Sequence, residues 1–212
     1  MNEVIFGFMG VLVGACIPWI REEFNERRLR KRYGMYLAAR VVCVLDEYVE
    51  KCVDVVGDDG TIMGQAAFRH ENGEEHYYPQ VTLPEPPDYP ADVDWKSING
   101  DLMYRLLALP NNALNTDRGI QTAEYFASPP DYENFFEARY TGYATLGLQA
   151  LQLAKELRRT YRIPPKNYGK WNPDWNPEKH LQDVKRKIEE RYKNRDIPFA
   201  NNHSDLQDRV EA

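Results

Sequence analysis

In the stretch FRHENGEEHYY, residues 68–78, His70 and His76 stand among Glu71, Glu74 and Glu75, and this is the best grouping of metal-ligating side chains in the chain. Asn72-Gly73 lies between short alternating runs, the usual signal for a two-residue hairpin turn, and it predicts a register in which Arg69 faces His76 and Phe68 faces Tyr77. Alternate residues of a strand point to opposite faces. In that register His70 and His76 therefore diverge, and their spacing matches no helical ligand pair of the HExxH kind. The group reads as solvated surface, with no metal implied.

Nucleophilic chemistry has as little support. Cys16, Cys43 and Cys52 are the three cysteines. Cys43 and Cys52 lie nine residues apart in one predicted helix, about 13 Å along its axis, too far for a disulfide. Reduced, buried thiols are expected, in keeping with a reducing compartment. Arg40, Arg105 and Arg139 each flank an apolar stripe and could converge on an anion, although arginines at stripe edges commonly lay their stems on apolar surface and keep the charge in water. There is no nucleophile elbow, phosphate loop or dinucleotide fingerprint. The expectation is a non-enzymatic protein with no catalytic residues and no cofactor.

The more informative chemistry lies at the start of the chain. Val4 to Ile20 form seventeen positions without a charge, and the next twelve carry Arg21, Arg27, Arg28, Arg30, Lys31 and Arg32 against three glutamates, a local charge of +3. Seventeen residues is the short end of what crosses a hydrocarbon core. The run has no polar stripe of the kind a buried globular helix shows. Trp19 at its end suits a membrane interface. Val13-Gly14-Ala15-Cys16 has the form of a lipidation signal, but Glu3 replaces the expected basic start and the apolar run continues past the cysteine. An uncleaved single-pass anchor at residues 1–20 is expected, in an inner or plasma membrane. The basic cluster after it predicts an outer N-terminus and a cytoplasmic body. Gly7, Gly10 and Gly14 share one helical face, with Gly10 and Gly14 at the spacing that lets two spans approach closely. Arg27, Arg28, Arg30, Lys31 and Arg32 are candidate contacts for anionic headgroups.

Beyond the anchor the sequence predicts a mainly α protein: an antiparallel bundle of about four helices over 21–162, with a small irregular or hairpin insertion. Leu37, Val41, Leu45, Tyr48, Cys52 and Val55 recur at three and four, so anchor and first helix form one rod with Gly34 as the expected bend. GDDG at 57–60 stops it. Residues 57–91 are acidic and proline-rich, and 57–101 hold ten acids against Arg69 and Lys96. A second helix is expected over 92–109 and ends at Pro110, and a third runs over 112–126. A long fourth over 132–162 carries Phe136, Tyr140, Tyr143, Gly147, Ala150, Leu151, Ala154 and Leu157 on one face. Residues 163–212 read as a Trp/Pro linker, an amphipathic helix with the narrow stripe Leu181, Val184 and Ile188, and a loose tail after Pro198.

The net charge of -6 and the absence of a broad basic face speak against nucleic acid as a partner. Expected partners are membrane lipids and a second copy or another membrane protein. The leading expectation is a self-associating interaction or sensing protein at the membrane. The rivals are an effector whose spans cluster to permeabilise the bilayer, and a membrane-tethered enzyme with an unrecognised site.

Overall fold

A computed structural model describes the backbone of residues 2–69, 71, 73, 75–127, 132–167 and 175–207, and the side chains within 21–195 of that set. Among the described residues the chain is mainly helical, with four helices and two small antiparallel hairpins. Helix α1 spans Asn2–Gly57, α2 Gly100–Phe126, α3 Glu133–Tyr161 and α4 Pro177–Gln207. Strands β1 (Thr61–Ile62) and β2 (Gln65–Ala66) form one hairpin, and β3 (Phe68–Arg69) and β4 (Glu75–His76) the other.

Helix α3 is central and touches each of the other three helices. Its neighbours reveal their directions by the residues they meet. From α1, Asp46 meets Arg158 and Cys52 lies beside Gly147. From α2, Arg105 meets Glu156 and Asp117 meets Tyr143. From α4, Glu178 meets Lys155 while Arg191 meets Glu137. Rising numbers on all three match falling numbers on α3, so α3 runs antiparallel to every helix that packs on it. The small side chains of α3 make this possible. Ala144, Ala150 and Ala154 are fully buried. A Cβ at Gly147 would sit 2.8 Å from Leu181 Cδ1 and 3.0 Å from Cys52 Cβ, so only hydrogen fits where α1 and α4 close on α3. The α1 stripe Leu37, Val41, Leu45, Tyr48, Cys52 and Val55 is buried throughout. Each such Leu or Val, fully buried, contributes about 1.5–3 kcal/mol.

Three sequence expectations are corrected. Pro110 does not end a helix: α2 runs through it to Phe126. A mid-helix proline forfeits the bond from its own nitrogen, a cost of about 3 kcal/mol. Leu106, Leu109, Ala113 and Ile120 are buried on both sides of it, and continuing the stripe outweighs the loss. Residues 92–99 are correspondingly not α-helical; they hold only a short 3₁₀ turn, Trp95–Ser97, capped by Asp94. Gly34 is not a bend. It is buried, and a Cβ there would come within 2.8 Å of the Tyr161 ring, so the glycine lets the end of α3 lie against an unbroken α1.

The third correction is the hairpin register. Phe68 pairs with His76 and Arg69 with Glu75, one residue away from the predicted pairing. A slip of one residue exchanges the faces of a strand. It brings Arg69 directly against Glu75, an ion pair, where the predicted register sets it against His76. The other hairpin was missed: Met63 and Gly64 both have positive φ, 53° and 78°, the signature of a two-residue type I′ turn.

The acidic insertion is tied to the bundle from inside. Asp58, just past α1, accepts from Arg139 Nη2 at 3.0 Å and from the Val81 amide at 2.9 Å, while Gly60 N donates to its other oxygen at 3.1 Å. Arg139 also donates to Val81 O at 2.8 Å. Both side chains are almost wholly buried, 2% and 4% exposed. Tyr140 OH donates to the Asp58 carbonyl at 2.9 Å, and burial pushes its hydroxyl up to about 12.

Candidate functional site

The predicted contact residues after the apolar run lie on a part of α1 that the bundle leaves bare. The first core residues are Gly34 and Leu37, and from Arg21 to Tyr33 every position except half-buried Glu23 is exposed. Thirteen residues of helix make a stalk of about 20 Å. A helix polar on all sides is stable when it bridges two bodies or is laced by pairs at i and i+4. Arg27 Nε donates to Glu23 at 2.7 Å in such a pair. Between the charges stand exposed Phe24, Leu29 and Tyr33, followed by Met35 and Tyr36.

Where the stalk meets the bundle, the geometry is set by three elements. Arg30 donates through Nε and Nη2 to the Lys96 carbonyl, at 3.3 and 3.0 Å, which pins the stalk to the 3₁₀ turn. Asp94 holds that turn by accepting from Lys96 N at 3.0 Å. Tyr161 fits over Gly34, and α3 then ends on Arg162 in the left-handed region at φ 55°. Burial pushes the Tyr161 hydroxyl up, and the nearby Arg30 charge works against that. Arg158 turns back along α3 to Asp46, 2.5 Å away, and to the Pro164 carbonyl.

Of the predicted headgroup contacts, then, Arg27 is engaged by Glu23 and Arg30 by the bundle itself, while Arg28, Lys31 and Arg32 are exposed with no acidic partner among the described residues. Two cations that sequence reading did not single out join them at this end: exposed Arg159 and Arg162, from the last turn and cap of α3. The fold brings them to the stalk by laying Tyr161 on Gly34. No local pattern signals a pairing between residues 34 and 161. What the arrangement offers is solvated cations at the stalk end of the bundle together with exposed apolar side chains, a combination suited to a polyanionic surface. Gly7, Gly10 and Gly14 fall within α1, but their surroundings lie outside the described residues.

The other candidates separate. Arg40, Arg105 and Arg139 do not converge: each meets its own carboxylate, Asp92, Glu156 (with Asp101) and Asp58. His70 and Glu74 lie outside the described residues. His76 is buried, with Nδ1 2.9 Å from Tyr132 OH. No cluster of three metal-ligating side chains exists among the described residues. Cys52 is buried beside Tyr48, and burial pushes its thiol up, away from nucleophilic character; Cys43, against expectation, is exposed. A groove of about 330 Å³ between α2 and α3 is lined by Tyr104, Arg105, Asn112, Gln149 and Gln152. It brings together a tyrosine, side-chain amides and an already paired arginine.

Among the described residues no helix is long and apolar enough to cross a membrane, and the uncharged run 4–20 lies outside those whose side chains are described. No family model, curated protein or solved structure matches the chain.

Proposed function

We propose that this chain is a single-pass membrane protein, anchored by residues 4–20, whose helical bundle is a non-enzymatic interaction or sensing module that self-associates. One observation carries the reading: α1 leaves the bundle as a bare, charged stalk whose other end is a seventeen-residue run without a single charge. Apart from Arg30, tied to the 3₁₀ turn, and half-buried Glu23, the stalk is exposed, and a helix of that kind is suited to bridging a body at each end. The bundle is one, and lipid hydrocarbon is the solvent in which Val4 to Ile20 are at home. The cations that follow the run favour a cytoplasmic bundle. Arg28, Lys31 and Arg32 are the headgroup contacts, each worth about 1 kcal/mol near an anionic surface. Lipids and a second copy or another membrane protein, meeting along Gly7, Gly10 and Gly14, are the partners.

The test is a reporter fused to the C-terminus, together with alkaline extraction of membranes from cells expressing the full chain. The proposal predicts that the chain stays in the pellet until detergent is added and that a reporter active only outside the cytoplasm stays silent. An active reporter of that kind defeats the orientation, and release by alkali defeats the anchor.

A further inference from the structure

We infer that α4 is a releasable strap, held across α3 by a narrow apolar stripe and an ion-pair clamp, which opens as a unit while α1, α2 and α3 stay folded. The inference does not depend on where the apolar run resides.

Its contact with the bundle has two unequal parts. The apolar part is small: Pro177, Leu181 and Ile188 are buried and Val184 is half-buried. Leu181 plugs the notch at Gly147, beside Cys52. By contrast, α3 buries thirteen residues. The polar part is a clamp at the start of α3. Arg195 lies 2.8 Å from Glu133 and 3.2 Å from Glu137, and Arg191 lies 3.7 and 3.5 Å from the same two carboxylates. Lys155 pairs with Glu178 at the other end. Arg191 and Arg195 are 52% and 40% exposed, so salt reaches the clamp.

Glu137 makes the clamp unusual. It is 1% exposed, and its ion-pair partners Arg191 and Arg195 both belong to α4. When α4 lifts, the carboxylate returns to water and does not stay stranded in the core. Opening the strap therefore carries little of the penalty that usually follows the breaking of a buried pair. The connector is long, and its start is tied to α1 by the Lys166–Glu50 ion pair. Antiparallel helices join through two to eight residues. Fifteen separate Tyr161 from Pro177, although the first turn of α4 lies beside Lys155, only six residues back along α3. Ten residues still separate Lys166 from Pro177, a length that lets α4 leave without pulling on α3. Finally, α4 carries seven Lys and Arg against four acids over 177–195, so the strap is cationic and its seat is rimmed by two glutamates.

Hydrogen exchange on the full chain, read by mass spectrometry at low and high sodium chloride, tests this. The expected result is that amides of 178–195 exchange at least about tenfold faster in 0.5 M salt than in 0.02 M. The buried segments of α1 and α3 hold their rates. In the double variant Arg191→Glu/Arg195→Glu, α4 exchanges fast in both salts and the circular dichroism of the bundle persists. A variant with Cys16→Ser and Cys43→Ser gives an independent reading: Cys52 reacts with maleimide faster in high salt, in step with α4 exchange. The inference is overturned if α4 exchanges together with α1 and α3 in both salts, or if the charge-reversed variant keeps α4 as protected as the parent.

Discussion

Replacing Asp58 by Ala removes the carboxylate that joins the end of α1, the acidic insertion and α3. Three donors lose their acceptor at once: Arg139 Nη2, Val81 N and Gly60 N, at 3.0, 2.9 and 3.1 Å. Arg139 is 4% exposed on its side chain and, among the described residues, keeps the Val81 carbonyl as its one hydrogen-bond acceptor, so its charge stays buried with a neutral partner. Breaking a buried pair from one side costs about 3–5 kcal/mol. For a chain of this length each kcal/mol lowers the melting temperature by about 2–4 °C, so the expected loss is about 6–20 °C. The assay is urea denaturation of the full chain in mild detergent, followed by far-ultraviolet circular dichroism, with the midpoint falling and the slope unchanged. Adding Arg139→Met removes the stranded charge and recovers part of the loss. A cost below about 1 kcal/mol for Asp58→Ala, or a double variant weaker than the single one, refutes the reasoning.

Three further outcomes are expected. Tyr140 is held protonated up to about 12 against an ordinary 10.0, and burial pushes Tyr48, Tyr89 and Tyr143 upward as well. The folded state thus keeps protons that the unfolded state gives up near pH 10, and stability falls as pH rises from about 10 to 12. Tyrosinate absorbance and loss of helix then rise together; tyrosines that titrate near 10 in a fully folded chain contradict this. Pro110→Ala restores the missing helix donor and stabilises the protein by about 1–2 kcal/mol, less than the full proline penalty because alanine also frees the unfolded chain; a lower urea midpoint refutes it. Gly147→Val drives a side chain into Leu181 and Cys52, at 2.8 and 3.0 Å from the added Cβ, and costs about 1–3 kcal/mol. Unchanged stability in that variant excludes the close approach.

The stripes that hold the core were legible because periodicity is local. Leu37 to Val55 on α1 and Phe136 to Leu157 on α3 sit where spacing puts them, all buried except half-buried Tyr140 on α3. What a stripe meets is not local. Asp58 and Arg139 lie 81 residues apart, and each reads in sequence as an ordinary surface charge. Pro110 misled for the opposite reason: the local penalty is real, but apolar residues on both sides of it find α3, and packing decides. Gly34 was singled out for flexibility when its use is the space it leaves for Tyr161. In the hairpin, Asn72-Gly73 fixed attention on a two-residue turn, while the Arg69 and Glu75 ion pair goes with a different register. For the site, the basic run on α1 was visible, but the cations from the end of α3 that lie beside it depend wholly on tertiary structure.

The account rests most heavily on lipid as the solvent of residues 4–20, and one preparation tests it directly. Full-length protein is made by cell-free translation with liposomes of mixed neutral and anionic lipid, then floated on a density gradient at high salt, which strips surface-bound protein. The chain is predicted to float with the lipid and to lose this property when Leu12 and Val13 both become Arg. A chain that remains at the bottom of the gradient, or a variant that floats as well as the parent, contradicts the anchor.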